Sequence, residues 1–162
     1  MNKNVLYLVQ AALIAAIYAA LTYFLAPISY GPLQFRISEA LTVLPALFPA
    51  AVPGLFVGCL ISNLIGGLGM YDIIFGSLAT LIAAYLTSKL RKAWIVPAPA
   101  VIVNALVIGI MLSYMYKLPY IATIASVGFG ELVVCYVLGI PLYMYFLKNK
   151  SRFGLMESDE IK

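Results

Sequence analysis

The segment Gln34-Phe35-Arg36-Ile37-Ser38-Glu39-Ala40-Leu41 decides how this chain is organised. It places an arginine and a carboxylate three residues apart in a chain that has little charge outside its ends. One long apolar run ends before it, and another begins directly after it. The role of such a polar segment depends on whether the apolar runs lie in a soluble protein or in a membrane. The composition of the chain decides between these two.

The composition is that of a membrane protein. The chain has 162 residues, of which 64% are hydrophobic and 10% charged, and its mean hydropathy is +1.04. A soluble domain carries about a quarter charged residues, which it needs to cover its surface. We therefore expect an integral membrane protein. At about 25 residues per span with its loop, one bundle of five or six helices accounts for the whole length.

The first apolar run, 5–25, is about twenty residues long and is followed by further runs, so we expect a retained helix rather than a secretory signal. The segment 38–66 is harder to assign. It could form one tilted helix, or a hairpin of two short helices, 37–47 and 52–65. Three prolines spaced four apart argue against one continuous helix. They are Pro45, Pro49 and Pro53.

Charge placement chooses between these alternatives, because Lys and Arg concentrate on the cytoplasmic side of membrane proteins. With a hairpin there are six spans, and only Arg36 and Lys117 lie outside. With five spans the basic cluster at 89–92 would face outward. We therefore predict an all-α integral membrane protein, a six-transmembrane-helix bundle with both termini inside (N-in/C-in). The cytoplasmic cations are then Lys3, Lys89, Arg91, Lys92, Lys148, Lys150, Arg152 and Lys162. In this single domain, 1–162, the spans are 5–25, 37–47, 52–65, 72–90, 94–116 and 120–147, followed by a polar tail, 148–162.

This topology places the unusual polar residues in the outer half of the bundle. Glu39 and Asp72 begin helices at the outer face, and Asn63 approaches that face. Asn104 and Glu131 lie about ten and eleven residues into their spans, near mid-depth at 1.5 Å per residue. We interpret these residues as the walls of a substrate pocket that opens outward. The candidate substrate-binding residues are Arg36, Glu39, Asn63, Asp72, Asn104 and Glu131.

Simpler structural roles stay open for the same residues. A charge at mid-span costs about 2.5–3.5 kcal/mol on insertion scales, so Glu131 needs a partner, a wet cavity or a proton. It could be a ligand-binding carboxylate or a protonated acid bonded to another helix. Glu39 could serve the helix dipole and pair with Arg36. Asp72 could be a helix cap, and Asn63 could cap backbone groups.

Several chemistries are missing. The sequence has no P-loop, H-E-x-x-H or G-x-S-x-G motif, and it has no histidine. Cys59 and Cys135 both lie in apolar runs, so we expect packing residues rather than a disulfide or a metal site. Carboxylates, amides and aromatic faces suit a planar, donor-rich, neutral or cationic heterocycle. They suit a phosphate or carboxylate ligand poorly. We expect a binding protein with no catalytic activity and no cofactor.

The first run also carries alanines at spacings of four, which line one face of a helix. Such small-xxx-small stripes let another helix approach closely. That helix could belong to a partner protein or to the same bundle. The alanines form two adjacent rows, Ala11, Ala15 and Ala19, and Ala12, Ala16 and Ala20.

Over 4–150 the chain resembles the substrate-binding S-components of energy-coupling factor (ECF) transporters, most closely the QueT type associated with queuosine precursors. The resemblance rests on the size, the six predicted spans, the alanine stripe and the segment 34–41. It also rests on the glycine-rich turn 66–72, which is followed by Phe75-Gly76-Ser77-Leu78-Ala79-Thr80. The arginine–glutamate segment combined with this turn is its most specific part.

The resemblance implies a mechanism. An S-component captures a vitamin-like compound from outside the bacterial plasma membrane and docks on a membrane scaffold, the T-component, which bears two ATPases. An A-x-x-x-A row of the first helix makes the contact, and the S-component topples to carry its pocket inward. The implied cargo is a 7-deazaguanine base or a relative. A carboxylate accepts two N–H bonds from a guanine-like edge, which suits Glu131 or Glu39.

Two other functions are weighed against this one. The chain could be a stand-alone proton-coupled carrier with Glu131 as its proton site, although we find no convincing inverted repeat. An intramembrane enzyme is disfavoured, because histidine and paired catalytic carboxylates at a recognisable spacing are lacking.

Overall fold

In the computed structural model of the chain, residues 2–29, 35–67 and 69–149 are described. Gln34, Leu68 and the predicted tail from Lys150 onward lie outside them. Helices and turns account for the structure within these ranges, which contain no strand. The predicted all-helical class is therefore confirmed.

In the described part of the chain six helices follow one another, and a single helical turn, Ala26–Ser29, follows the first. Three of them are long and apolar enough to cross a membrane, Lys3–Phe24, Ala98–Tyr116 and Tyr120–Lys148, and the other three are shorter apolar helices. The number of spans and their orientation stay predictions. The helices are α1 (Lys3–Phe24), a 3₁₀ helix (Ile37–Ala46), α2 (Ala51–Gly66), α3 (Asp72–Ser88), α4 (Ala98–Tyr116) and α5 (Tyr120–Lys148).

The proline-rich segment 38–66 forms two helices with a break at 47–50. Pro49 lies in the break, and Pro53 lies in the first turn of α2, where a missing N–H is tolerated. Arg36, before the 3₁₀ helix, reaches Cys59 in the middle of α2, with 3.9 Å between Nη1 and Sγ. The chain therefore folds back on itself here, as the hairpin interpretation requires.

The 3₁₀ helix runs through the interior of the bundle, and it is buried from Ser38 onward. With three residues per turn, its side chains line up in three rows. Leu41 and Leu44 pack into a core shared with α1 and α2, while Val43 packs with α5. The third row carries Glu39 and Thr42. This unusually long 3₁₀ helix thus turns Leu41, Leu44 and Val43 to apolar neighbours, and Glu39 and Thr42 to polar ones.

The two alanine rows of α1 have different environments. Ala11 and Ala15 face α2, where a Cβ at Gly54 or Gly58 would lie 2.7 Å or 2.9 Å from their backbone oxygens. Ala19, on the same row, is half-buried. One small-xxx-small contact is therefore used within the bundle. The residues of the second row are exposed: Ala12, Ala16 and Ala20.

Candidate substrate site

Polar contacts join α1 to the 3₁₀ helix around Glu39, which is 1% exposed. The Tyr18 hydroxyl donates to Glu39 Oε1. One turn along α1, the Thr22 hydroxyl lies 2.7 Å from that of Ser38 and donates to the Tyr18 carbonyl at 2.9 Å. Tyr18 and Thr22 are both fully buried. The carboxyl group is therefore held at one oxygen by a fixed donor.

The two residues predicted at mid-depth meet each other across α4 and α5. Asn104 Nδ2 donates to Glu131 Oε1 at 3.1 Å, and both side chains are buried. One turn further along α5, the Cys135 thiol lies 3.6 Å from Glu131 Oε2 and 3.6 Å from the Glu39 carbonyl. Asn104 also faces the Glu39 carboxyl. Glu39 and Glu131, expected at different depths, therefore belong to one cluster.

A second set of contacts centres on the Cys59 sulfur in α2, which is fully buried. It lies 3.4 Å from Asn63 Nδ2, 3.3 Å from Thr80 Oγ1 and 3.9 Å from Arg36 Nη1. Asn63 Nδ2 also donates to the Asp72 carbonyl at 2.9 Å. The thiol was expected to be a packing residue, and its sulfur also lies within contact distance of three donor groups.

A π-helical turn, Asp72–Gly76, brings Asp72 into the interior. Along α3 the buried positions Thr87, Ala83, Thr80 and Gly76 follow one another at steps of three or four, and one more step of four reaches Asp72. Ile73 is only half-buried, whereas Asp72 is 2% exposed. The buried face of α3 therefore continues through the π-turn, and Asp72 is its first buried residue.

Four buried polar atoms in the cluster have no hydrogen-bond partner among the described residues. They are Glu39 Oε2, Asn63 Oδ1, Asp72 Oδ1 and Ser77 Oγ. More than nine in ten buried polar groups in native proteins are satisfied, and each that is not costs about 1–3 kcal/mol. Three of these atoms are carboxyl or amide oxygens, so the cluster contains oxygens that no described donor satisfies.

Charge in the buried region is unbalanced. Within the described ranges, three carboxyl groups and one guanidinium are buried, those of Glu39, Asp72, Glu131 and Arg36. Arg36 interacts electrostatically with each of the three acids. No three His, Cys, Asp or Glu side chains come together as metal ligands in this part of the chain.

All six predicted residues thus meet in one buried region, although they come from five separate helices and the residue before one of them. The simpler structural roles considered for these residues have different outcomes. Asn63 does bind a backbone carbonyl across the glycine-rich turn. Asp72 is the first residue of its helix, and the N-cap is Tyr71. In and around this cluster, the buried polar residues and thiols that the sequence prediction missed include Tyr18, Thr22, Ser38, Thr42, Cys59, Ser77, Thr80 and Cys135.

One of these residues had a detectable signal. Tyr18 follows Ala15 by three positions on the buried face of α1, so a hydroxyl interrupts a row of small residues. Cys59, Thr80 and Cys135 had none, because thiols and threonines are common in apolar helices as packing residues.

Two clefts of about 370 and 360 Å³ lie elsewhere. One is lined by residues near the end of α5, such as Met144 and Leu147. The other lies between the end of α3 and the start of α4, near Leu86 and Ile102. Their linings are apolar apart from a lysine in each. Neither matches a donor-rich ligand as the buried cluster does.

The QueT transporter family model matches residues 8–148, a range that contains every residue of the cluster. The chain belongs to the QueT transporter family. The Queuosine precursor transporter QueT of Lactococcus lactis subsp. cremoris (strain MG1363) is 29% identical over 154 residues, covering 85% of this chain and 90% of that protein. No solved structure matches the chain. The expected resemblance to QueT-type proteins is confirmed, and the chain is a membrane transport protein.

Proposed function

We propose that this chain is the substrate-capturing subunit of an ECF-type importer in the bacterial plasma membrane. It binds a queuosine precursor or a related 7-deazaguanine compound and delivers it by docking on a T-component with two ATPases. The observation that carries this proposal is the convergence of the six predicted polar residues, together with unpartnered acceptor oxygens. The similarity to a queuosine precursor transporter supports the class of cargo.

Glu39 and Glu131 provide the acceptors for the flat base. Tyr18 holds one oxygen of Glu39 and leaves Oε2 without a donor among the described residues. Asn104 orients Glu131. A guanine-like edge presents a ring N–H beside an amino group, and a carboxylate accepts both. Buried carboxylates held in place by neutral donors therefore suit this edge.

The proposed topology has six spans with both termini inside, as the distribution of Lys and Arg indicates. In this arrangement the glycine-rich turn between Asn63 and Asp72 lies at the outer face, so the pocket opens outward. The exposed alanine row of α1 is available to the T-component, because the neighbouring row already contacts α2. Toppling in the membrane then carries the loaded pocket inward.

Binding is tested by calorimetry of the purified full chain with a 7-deazaguanine base. Glu131→Gln should weaken binding at least about tenfold, because a charge-assisted hydrogen bond becomes a neutral one. Tyr136→Phe is the matched control, since its hydroxyl donates to the Trp94 carbonyl away from the cluster. Unchanged affinity in Glu131→Gln would remove this residue from the pocket.

A proton-coupled carrier is the second candidate, and the buried Glu131 beside a second acid supports it. Vesicles that contain only this chain separate the two functions. The importer subunit should take up no base under a pH gradient, and it should transport the base with ATP once the T-component and ATPases are added. Uptake by the chain alone, lost in Glu131→Gln, would establish the carrier instead.

A further inference from the structure

The buried cluster has two ends. At one end, Glu39 and Glu131 are joined through Asn104 and Cys135. At the other, Asn63 in α2 is bonded to the first residue of α3, Asp72. Arg36 and Cys59 lie between them. The second end contains three of the four unpartnered buried atoms, and recognition of a flat base at the first end does not account for them.

The orientation of Asn63 follows from its neighbours. Its Nδ2 lies 2.9 Å from the Asp72 carbonyl oxygen and 3.4 Å from the Cys59 sulfur, so both amide hydrogens have acceptors. The amide oxygen must then point away from both. Gly76 makes room for this arrangement, because a Cβ there would lie 2.7 Å from Nδ2. Asn63 Oδ1 is consequently a fixed, fully buried acceptor.

Asp72 and Ser77 add two more polar atoms from the π-turn and the residue after it. Both side chains are 2% exposed, and neither Asp72 Oδ1 nor Ser77 Oγ has a partner among the described residues. The Asn63 amide bonds to the Asp72 backbone and lies against Gly76, the residue before Ser77, so the three residues are close neighbours. A carboxyl oxygen, an amide oxygen and a hydroxyl are what a protonated amine with three N–H groups requires.

The balance of charge points to the same ligand group. Arg36 interacts with Asp72, but it also interacts with Glu39 and Glu131. One buried guanidinium therefore faces three buried carboxyl groups in the described part of the chain. Burial disfavours the charged form of each acid, and a cationic ligand next to Asp72 would stabilise its carboxylate, which a neutral ligand would not.

We infer that Asn63, Asp72 and Ser77 form a second subsite, which binds a protonated amine carried by the transported heterocycle. This inference rests on the proposed function, and it adds that the protein selects an amine-bearing base over a neutral base with the same ring. Glu39 and Glu131 bind the ring, and Asp72 binds its protonated amine substituent.

Two ligands with one ring test this selectivity, 7-aminomethyl-7-deazaguanine and 7-cyano-7-deazaguanine. Calorimetry uses the purified full chain in sodium-free buffer. The wild type should bind the amine at least about tenfold more tightly than the nitrile. Asp72→Asn should lower the affinity for the amine at least tenfold while changing that for the nitrile less than threefold. Ser77→Ala should act in the same direction with a smaller effect.

Glu131→Gln is the matched comparison, because it should weaken both ligands. A thermal melt of each variant checks that it is folded. Equal binding of the two ligands by the wild type, or equal loss of both in Asp72→Asn, would overturn the subsite while leaving the proposed function intact. Affinity that depends on added sodium and not on the amine would assign the subsite to sodium and also overturn it. Binding of neither ligand by the wild type would instead contradict the proposed function.

Discussion

At the residue scale, the buried acids are held by neutral donors. Tyr18 donates to Glu39, and Asn104 donates to Glu131. Each contact crosses between helices, so the donors fix the carboxyl groups and also connect the bundle. A carboxyl group positioned in this way needs no rearrangement when a ligand arrives, which lowers the entropy lost on binding.

Replacing Tyr18 by Phe should destabilise the protein by about 1–3 kcal/mol, because a buried carboxyl oxygen loses its donor while the ring keeps its packing. Unfolding in mild detergent measures this loss. Tyr136→Phe removes an exposed hydrogen bond to the Trp94 carbonyl and should have little effect. Equal stability of the two variants would mean that Tyr18 does not support Glu39.

Charge made the main residues of the cluster predictable from the sequence. A carboxylate or amide inside an apolar helix is costly, so Glu131 and Asn104 stood out. Cys59 and Cys135 did not, because a thiol fits an apolar helix without a polar partner. Asp72 stood out by its charge, and its spacing of four from Gly76 and eight from Thr80 places it on the buried face of α3.

At the element scale, the 3₁₀ helix joins the cluster to the rest of the bundle. Glu39 lies near its start, and its last carbonyl, that of Ala46, accepts from Arg91 Nη1 at 3.1 Å. Arg91 is itself held by the Tyr143 hydroxyl, which donates to its carbonyl at 2.9 Å. The prolines predicted the break after this helix, but nothing in the sequence distinguished a 3₁₀ helix from an α-helix.

Arg91→Ala should loosen the end of the 3₁₀ helix, because the Ala46 carbonyl loses a charged donor. Hydrogen exchange should become faster at residues 43–48 and stay unchanged in α4. Lys92→Ala is the matched control, because it removes the same charge from the exposed neighbouring residue. Equal exchange in both variants would mean that charge alone, and not the hydrogen bond, matters here.

The two alanine rows of α1 should differ in what they tolerate. Ala15→Leu should lower the free energy of unfolding by about 1–3 kcal/mol, because the Ala15 Cα lies 3.1 Å from a Cβ placed on Gly58 and leaves no room for a larger residue. Ala16→Leu should leave the isolated protein stable and ligand binding unchanged.

Copurification with the T-component provides a second test of the two alanine rows. Under the proposed function, Ala16→Leu should reduce copurification with the T-component, since its row is the exposed one. Normal assembly in that variant would show that docking uses another face.

At the scale of the whole molecule, the account depends on which side of the membrane each loop occupies. Composition and proline spacing were enough to predict a helical membrane bundle and the break within 38–66. Three of the six helices are shorter than a usual span, so helix length does not fix the number of membrane crossings. The side on which each loop lies is therefore predicted from the distribution of Lys and Arg alone.

Cysteine labelling in intact cells tests the topology. Lys117→Cys should react with a membrane-impermeant maleimide from outside, and Lys92→Cys should react only after permeabilisation. The native Cys59 and Cys135 are buried free thiols, so the unmodified protein provides the background. External labelling of Lys92→Cys would reverse the proposed orientation.

The central claim is that the buried polar cluster is where the cargo binds, and a ligand-bound structure of the full chain tests it most directly. We predict a 7-deazaguanine base enclosed between the 3₁₀ helix, α4 and α5, with its N–H edge within 3.2 Å of a Glu39 or Glu131 oxygen. A base bound elsewhere, with the contacts of Tyr18 to Glu39 and Asn104 to Glu131 unchanged and no ligand between them, would contradict it.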